Sequence, residues 1–376
     1  MKIIGTHNGC FHCDEVFAVC LLKRLPEFKD SVIVRSRDPD ELSECDVVVD
    51  VGGVYDPEHL RFDHHQKGFT LTWSNFFDTG KWNVKLSSAG LIYVHFGKRV
   101  ISLMTNRDMD SDALQRIFVK VYESFVLEID GTDNGVPQSQ SSLKYHIRTG
   151  LATRIARLNP WWNEQRFTSD DHAFQKALLL VDREFSDTVS YFSQCWWPAR
   201  EVVSRAMKSR ASVDSSRTII VLEQSCPWKS HLFDLEREER AETVAYPQPP
   251  RLTTYRPEPK FPPKILFVIL PREEGDWVVQ SVAEENFENR LSFPDSWRSL
   301  TDDKLCAATG VDGCIFVHSC GHLGLNKTKE GAIEMAQLVA HDWAAKELEL
   351  TQTVLPPPVF SRGRGRRHGS AKPNRY

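Results

Sequence analysis

The chain lacks any apolar run near the roughly 20 residues that a membrane-spanning helix requires. Its longest apolar runs are short, such as residues 16–22 and 265–270. The N-terminus also lacks the long apolar stretch of a secretory signal and the Arg-rich pattern of a transit peptide. We therefore expect no membrane partner and a location in the cytoplasm or nucleus, with a mitochondrial form only if a longer N-terminus exists.

The cysteines lack a paired framework. Nine is an odd number, and the spacing of the cysteines matches no secreted disulfide scaffold. Cys10 and Cys13 form one Cys-x-x-Cys motif, but no second motif follows that would complete a structural zinc site. We interpret both residues as free thiols that pack around a loop.

The body of the chain has no excess of positive charge. The 47 basic and 51 acidic residues give a formal net charge of -4, and residues 361–376 hold six of the basic residues and no acidic one. A generally positive, nucleic-acid-coating surface is therefore excluded for the body. A polyanion would bind in a local groove or to the basic tail.

The length of 376 residues predicts two domains and additional segments. Strand signals at residues 2–6, 31–35 and 46–51 alternate with a helix signal at 14–25, and residues 85–195 read as largely helical. Strand signals return after residue 218, followed by a helix from about Lys329 to Leu348. This order predicts an α/β domain over 1–195, a second α/β substrate domain over 196–350 with a Pro-rich insertion at about 240–263, and a disordered basic tail over 351–376.

Acidic and imidazole side chains follow the ends of the predicted strands. Because the carboxyl ends of parallel strands meet at one edge of a sheet, and ligands gather there, we expect these side chains to converge. The candidates are His7, His12, Asp14, Asp50, Asp63, His64, His65, Asp130 and Asp133. Each one alone is more often a turn, cap or core residue, so only the joint pattern indicates a site.

Carboxylates mixed with imidazoles suit Mn²⁺, Mg²⁺ or iron better than the thiolate-rich coordination of structural zinc. The number of candidates is large enough for two ions that share a bridging carboxylate. A pair of this kind supports hydroxide attack at phosphorus without a protein nucleophile. The pattern therefore predicts a phosphoesterase with a binuclear centre.

The motifs HNGCFHCDE, VVVDVGG, DHH, LSSAGLIYVHFG and DNG occur in an order that resembles the MYG family, whose first domain belongs to the DHH phosphoesterase superfamily. The resemblance covers about residues 2–347. It implies a DHH-type open, mostly parallel sheet domain, a smaller α/β domain, and an active site in the cleft between them. It also implies a metal-dependent 3′-5′ exonuclease that acts on single-stranded 3′ ends of RNA with two divalent ions, Mn²⁺ preferred and Mg²⁺ possible.

The resemblance assigns a role to each candidate. Asp14 and Asp50 are expected to bridge the ions, and His65 is expected to contact the scissile phosphate, so that Asp50 and His65 count as catalytic. Asp63 and Asp130 are expected to support the ligands from behind. The implied metal ligands are His7, His12, Asp14, Asp50, His64 and Asp133.

The sequence also suggests residues that could bind the substrate. Lys67, Arg154 and Arg157 are candidate phosphate contacts, although a solvated helix face is an equal reading of the two arginines. Relatives often carry a Gly-Gly pair where this chain has Gly324-Leu325, so we expect Gly324 and Asn326 to contact substrate through an altered loop. Trp161 and Trp162, or Trp196 and Trp197, can stack bases, but such pairs are more often packing residues.

Two alternatives to the exonuclease remain open from the sequence. The first is a small-molecule phosphohydrolase that acts on pyrophosphate or short oligonucleotides at the same centre. The second is a metal-binding scaffold without catalytic activity, which the loss of one glycine at Leu325 favours.

Overall fold

The computed structural model describes residues 1–77, 81–163, 170–245, 262–284 and 288–354. The chain forms two compact units, Met1–Arg200 and the part that starts at Glu201. Each unit contains one five-stranded mixed sheet together with helices, so the protein is a mixed α/β protein. None of the described helices combines the length and the hydropathy that a membrane crossing requires.

The sheet of the first unit has the strand order β2-β1-β3-β5-β4. Its strands are β1 (Ile3–Thr6), β2 (Val32–Arg35), β3 (Val47–Val49), β4 (Tyr55–Asp56) and β5 (Arg61–Phe62). The β1–β2, β1–β3 and β3–β5 pairs are parallel, and only the edge pair β4–β5 is antiparallel. The β-branched run of β3 is buried at every position, as expected for a central strand covered on both faces.

The rest of the first unit is helical, as the sequence predicted for residues 85–195. Its helices are α1 (Cys13–Lys23), α2 (Pro39–Ser43), α3 (Ser88–Ile92), α4 (Lys98–Thr105), α5 (Asp112–Val121), α6 (Leu127–Asp133), α7 (Leu151–Ala156) and α8 (Asp170–Ser190). The next helix, α9 (Trp197–Val213), begins in the first unit and continues past Arg200 into the second. Short π-helical turns link α3 to α4, α5 to α6, and α8 to α9. Helix α1 is buried along nearly its whole length and packs against α3 and α8.

The sheet of the second unit has the order β6-β7-β8-β10-β9. Its elements are β6 (Ile219–Val221), α10 (Lys229–Ala245), β7 (Phe267–Pro271), β8 (Trp277–Ser281), α11 (Asp302–Thr309), β9 (Cys314–Val317), β10 (Leu323–Asn326) and α12 (Lys329–Val354). Helix α10 continues into the predicted insertion, whose residues 246–261 lie outside the described residues. Helix α12 likewise continues to Val354, beyond the predicted start of the tail, and residues 355–376 also lie outside them.

Two residues of the second unit that were expected to contact substrate lie in a different local structure from the one predicted. Gly324 and Asn326 were expected in a substrate-binding loop, but they belong to β10, which pairs antiparallel with both β8 and β9. A Cβ on Gly324 would approach Phe293 at 3.1 Å and Met335 at 3.2 Å, so close packing accounts for this glycine. The buried amide of Asn326 is engaged within the unit, donating to Asp312 O at 2.9 Å and accepting from the Thr328 backbone N–H at 2.9 Å.

Helices α3 and α6 of the first unit approach each other most closely at Gly90, where an added Cβ would overlap the carboxylate of Asp130. We expect Gly90→Ala to destabilise the protein by about 1–3 kcal/mol, because the buried carboxylate has no room to move away. Gly131→Ala on α6 is the matched control, since a Cβ there meets no atom within 4 Å. The control should be neutral or stabilising by up to about 1 kcal/mol. Urea midpoints of both variants test this packing, and equal midpoints would contradict it.

Candidate active site

Three parallel strands end at the same edge of the first sheet, and each end supplies polar side chains. His7 directly follows β1, Asp50 directly follows β3, and residues 63–65 directly follow β5. The side chains of His7, Asp50 and His64 are buried. His7 and Asp50 line a cavity of about 730 Å³. The convergence expected from the strand order is therefore present.

The turn after β3 depends on residues that accept left-handed backbone geometry. Asp50 has a φ of 59°, which is uncommon for a residue other than glycine, and Gly52 and Gly53 follow with φ of 95° and 68°. This turn brings the Gly53 N–H to Asp63, where it donates to Oδ2 at 2.6 Å. The motif VVVDVGG thus turns the Asp50 carboxylate into the site and fixes Asp63 behind it.

The N-terminus of α1 supplies the next group of side chains. His12 is the N-cap residue, and its backbone N–H donates to both carboxylate oxygens of Glu15, at 2.8 and 2.9 Å. Glu15 is fully buried, and its Oε1 lies 3.1 Å from Nε2 of His7. Glu15 was not among the residues predicted from the sequence, although a glutamate three residues after an N-cap residue is typical of a helix N-terminus.

Asp50 lies between two imidazoles. Its Oδ2 is 3.5 Å from Nε2 of His7, and its Oδ1 is 3.5 Å from Nε2 of His64. The hydroxyl of Ser88, the first residue of α3, donates to Oδ1 at 2.9 Å and fixes the carboxylate from the protein side. Ser88 belongs to the motif LSSAGLIYVHFG, but the sequence did not predict its contact with Asp50. The Asp50 carboxylate therefore faces a histidine on each side and is held in place by a serine.

A second group forms around Asp14, His64 and Asp133, whose donor atoms lie within 4.8 Å of one another. Nε2 of His64 is 3.1 Å from Oδ2 of Asp133. Among the described residues, both carboxylate oxygens of Asp14 and both ring nitrogens of His64 are buried without a hydrogen-bond partner. Buried polar atoms are normally satisfied, so the two Asp14 oxygens, together with Nε2 of His64 that faces Asp133, indicate a place for an ion in this group.

The pKa values of the cluster show how protons offset the repulsion between its carboxylates. Burial lowers the pKa of His7, but the carboxylates of Asp50 and Glu15 outweigh burial and raise it to about 10. Burial is outweighed in the same way at His64, where Asp133 and Asp50 raise the pKa to about 9. Burial and the neighbouring carboxylates raise the pKa of Asp14 well above its usual value. Protons thus compensate the clustered negative charge in the free protein.

The donor set fits a metal ion. Three overlapping groups can hold one, namely His7-His12-Glu15-Asp50, Asp50-His64-His65 and Asp14-His64-Asp133. Nδ1 of His7 lies 3.1 Å from the carbonyl oxygen of Asn8, which pairs only with an N–H and so leaves Nε2 as the ligating atom. Oxygen and imidazole donors without thiolates favour a hard or intermediate divalent ion.

His65 differs from its neighbour His64 in exposure and in partner. The ring of His65 is 62% exposed, whereas the ring of His64 is 4% exposed. Asp63 accepts from the backbone N–H of His65 at 3.1 Å, and its Oδ1 lies 2.8 Å from Nδ1 of the same residue. Asp63 therefore orients His65, and Nε2 of His65 remains available to a group in the cavity.

Asp130 and Asp133 lie one helical turn apart on α6 and have separate surroundings. Asp133 is on the cavity wall. Asp130 is fully buried behind it and accepts from the N–H and the hydroxyl of Ser87 and from the hydroxyl of Tyr122, at 2.9, 2.8 and 3.0 Å. Asp130 therefore connects α6 to the N-terminus of α3 through hydrogen bonds, and Asp133 is the residue available to an ion.

The predicted phosphate contacts are not on the cavity wall as far as the structure describes it. Arg154 forms an ion pair with Glu184, with Nη1 and Oε1 2.6 Å apart, and Lys67 and Arg157 are exposed elsewhere. Arg37 is the cation that lines the cavity, held by the Asn8 side chain at 2.7 Å. The sequence position of Arg37 could have indicated this role, because the residue follows β2, and β2 is parallel to β1 and ends at the same edge of the sheet.

The amino-acid sequence of the chain matches a known protein family and several named relatives. The family described as "Uncharacterised protein family (UPF0160)" matches residues 3–339. The chain is 42% identical over 338 residues to the protein named MYG1 exonuclease in Homo sapiens, a match that covers 89% of this chain and 84% of the human one. The MYG1 exonuclease of Rattus norvegicus is also 42% identical over 338 residues, with 89% and 83% covered. The MYG1 protein of Caenorhabditis elegans is 40% identical over 342 residues, with 89% and 94% covered.

The buried Asp130 predicts a pH-dependent loss of stability. Burial raises its pKa in the folded protein from 3.8 to about 7, despite the three hydrogen bonds from Ser87 and Tyr122. The folded state therefore keeps a proton that the unfolded state releases, so the cost is absent below pH 3.8, grows up to about pH 7 and is constant above. We expect Asp130→Asn to gain stability relative to the wild type between pH 5 and 7, by up to about 1.4 kcal/mol per pH unit. Urea unfolding with a chelator present measures this difference.

The control for that experiment is Asp112→Asn, because the Asp112 side chain is 65% exposed at the start of α5. Its stability difference from the wild type should stay flat over the same pH range. Parallel curves for the wild type and Asp130→Asn would contradict the raised pKa.

The donor cluster predicts stabilisation by a divalent ion. Excess Mn²⁺ should raise the melting temperature of the wild type, because an ion that binds only the folded state at about 100 times its Kd adds about 2.7 kcal/mol. Asp50→Asn should lose most of this increment, since Asp50 belongs to two of the three donor groups. Asp56→Asn is the matched control, because Asp56 also pairs with a histidine, His59, but outside the cluster. Equal Mn²⁺ increments in all three proteins would exclude a metal site here.

Proposed function

The chain belongs to the MYG1 exonuclease family, and we propose that it is a metal-dependent exonuclease that removes nucleotides from the 3′ end of single-stranded RNA. The observation that carries the proposal is the convergence of carboxylates and imidazoles at one edge of the first sheet, with buried donor atoms of Asp14 and His64 left without partners among the described residues. Relatives named exonucleases match most of this chain. The general activity therefore rests on both the site and the family.

The ligands we propose are those that the sequence predicted, with Glu15 added. Two divalent ions held there would lower the pKa of water and neutralise charge on the phosphate under attack. Asp50 is proposed as the shared ligand, because it faces His7 on one side and His64 on the other. The full set is His7, His12, Asp14, Glu15, Asp50, His64 and Asp133.

The remaining residues of the cavity are proposed to act on the substrate. His65, oriented by Asp63, directs Nε2 to a phosphate oxygen and stabilises the charge that develops there. Arg37 provides a second positive charge on the cavity wall. Ser88 keeps the Asp50 carboxylate in place while charge moves nearby. No protein side chain is needed as a nucleophile.

The finer points of the proposal rest on the resemblance of the motifs to the DHH phosphoesterases. These are the preference for RNA, the 3′ polarity, the presence of two ions and the preference for Mn²⁺ over Mg²⁺. Phosphohydrolysis of pyrophosphate or short oligonucleotides uses the same donor set, so it is the main competing function. Substrate tests separate the two.

The test uses the purified chain with Mn²⁺ and three substrates: end-labelled single-stranded RNA, the same sequence as DNA, and pyrophosphate. We expect stepwise shortening of RNA from the 3′ end, and loss of that activity in Asp50→Asn and His64→Ala. His65→Ala should lower turnover by about 100-fold or more and keep the Mn²⁺ increment in melting temperature, since His65 faces the substrate. His59→Ala is the matched control, because this exposed histidine pairs only with Asp56 in the described structure and should keep full activity.

Each outcome distinguishes one function. Phosphate release from pyrophosphate with intact RNA would replace the nuclease by a small-molecule phosphohydrolase. Preferential shortening of DNA would overturn the RNA preference alone. Intact substrates together with a retained Mn²⁺ increment would indicate a metal-binding scaffold.

A further inference from the structure

Residues 134–163, here called the acid-free segment, contain no aspartate or glutamate, although acidic residues outnumber basic ones in the chain as a whole. The segment includes Lys144, Arg148, Arg154 and Arg157. It starts directly after Asp133, a proposed metal ligand, and continues through α7. The segment is therefore a local region of positive charge beside a cluster of carboxylates.

The acid-free segment also exposes large apolar and aromatic side chains. Trp162 is 97% exposed and Tyr145 is 76% exposed. Leu143 and Ile147, on either side of Tyr145, are exposed as well. Large exposed apolar and aromatic side chains on a segment that also lines the cavity indicate a binding surface. Rings interspersed with cations match the chemistry of bases joined by phosphates.

Both ends of the acid-free segment are fixed to the site. At its start, the Asn134 side chain donates to the carbonyl oxygens of Lys85 and Asp130, at 2.8 and 2.9 Å. Near its end, the Asn159 side chain accepts from the Phe11 N–H at 2.9 Å and donates to the Phe11 carbonyl at 2.8 Å, one residue before His12. Between these anchors, Ala152, Thr153 and Ala156 line the cavity. The exposed rings are thus attached to the wall of the site.

We infer, on the basis of the proposed nuclease function, that the acid-free segment is the surface that holds the substrate strand upstream of the nucleotide being removed. Unpaired bases stack on Trp162 and Tyr145, and the phosphates between them contact Lys144, Arg148 and Arg157. Within the described residues these three cations form no ion pair, whereas Arg154 is paired with Glu184. Because stacking requires the bases to be unpaired, the surface selects single strands over duplexes.

The binding arm of the test uses a fluorescein-labelled single-stranded RNA of about 12 nucleotides, within the range of known strand-binding sites. Anisotropy is measured in EDTA, so that no turnover occurs. Trp162→Ala and Tyr145→Ala should each raise the Kd by about tenfold, the effect of losing one stacked base, and Trp162→Phe should restore binding. The double change Lys144→Ala and Arg148→Ala should reduce the slope of log K against log salt by about 1.4. Trp343→Ala, an exposed tryptophan of α12, should leave the Kd unchanged.

The hydrolysis arm compares kcat/KM on the same RNA with kcat/KM on a dinucleotide in Mn²⁺. Trp162→Ala should lower the ratio of the two values about tenfold through KM, because a dinucleotide is too short to reach the rings. An unchanged ratio and an unchanged Kd would overturn the inference while leaving the nuclease proposal intact. If RNA binds with an affinity that depends on Trp162 but is never cut, the nuclease proposal is overturned and the strand-binding surface is supported. A change from dimer to monomer in Trp162→Ala, with unchanged RNA affinity, would assign the surface to contacts between copies of the chain and overturn the inference.

Discussion

The structure of the first unit depends on the burial of several carboxylates within a few ångström of one another. Two like charges about 4 Å apart repel by about 4 kcal/mol in a partly polar interior, so Asp14, Asp50 and Asp133 are not stable together without compensation. In the free protein the compensation comes from protons, because the pKa values of His7 and His64 rise to about 10 and 9. A divalent ion would carry the same compensating charge and would also satisfy the oxygens of Asp14 that have no hydrogen-bond partner among the described residues. Metal uptake at this site would therefore exchange protons for an ion.

The parallel arrangement of β1, β3 and β5 is what brings these groups together, and this part of the site was predictable. Continuous β-branched runs such as that of β3 indicate central parallel strands, and parallel strands place their ends at one edge. The sequence favoured Asp133 over Asp130 as the ligand, but the spacing did not settle the choice, because residues three apart on a helix share a face. What separates them is the tertiary contact that Ser87 and Tyr122 make with Asp130 alone.

Two other features show where sequence reasoning ends. The buried Glu15 was overlooked because its neighbours His12 and Asp14 already explained the motif, and only the structure shows that its carboxylate faces His7. Gly324 was taken for a loop glycine that approaches phosphate, since glycine permits close backbone approach of any kind. In the structure the close approach is to Phe293 and Met335 inside the second unit. The sequence alone does not reveal whether a glycine is required by a close contact or by its backbone conformation, nor which group makes the contact.

The burial of the clustered carboxylates also explains why His64 and His65 lie side by side in the sequence. The chain leaving β5 carries one imidazole among the buried carboxylates, where Nε2 of His64 lies 3.1 Å from Asp133, and the next one into the open cavity. Asp63 bonds to Nδ1 of His65 and is itself fixed by the Gly53 N–H, so the orientation of His65 does not depend on an ion. His64 has no such anchor and takes its orientation from the acidic groups that an ion would join. Two adjacent histidines thus have different partners, and the orientation of His65, the proposed substrate contact, is fixed by protein groups alone.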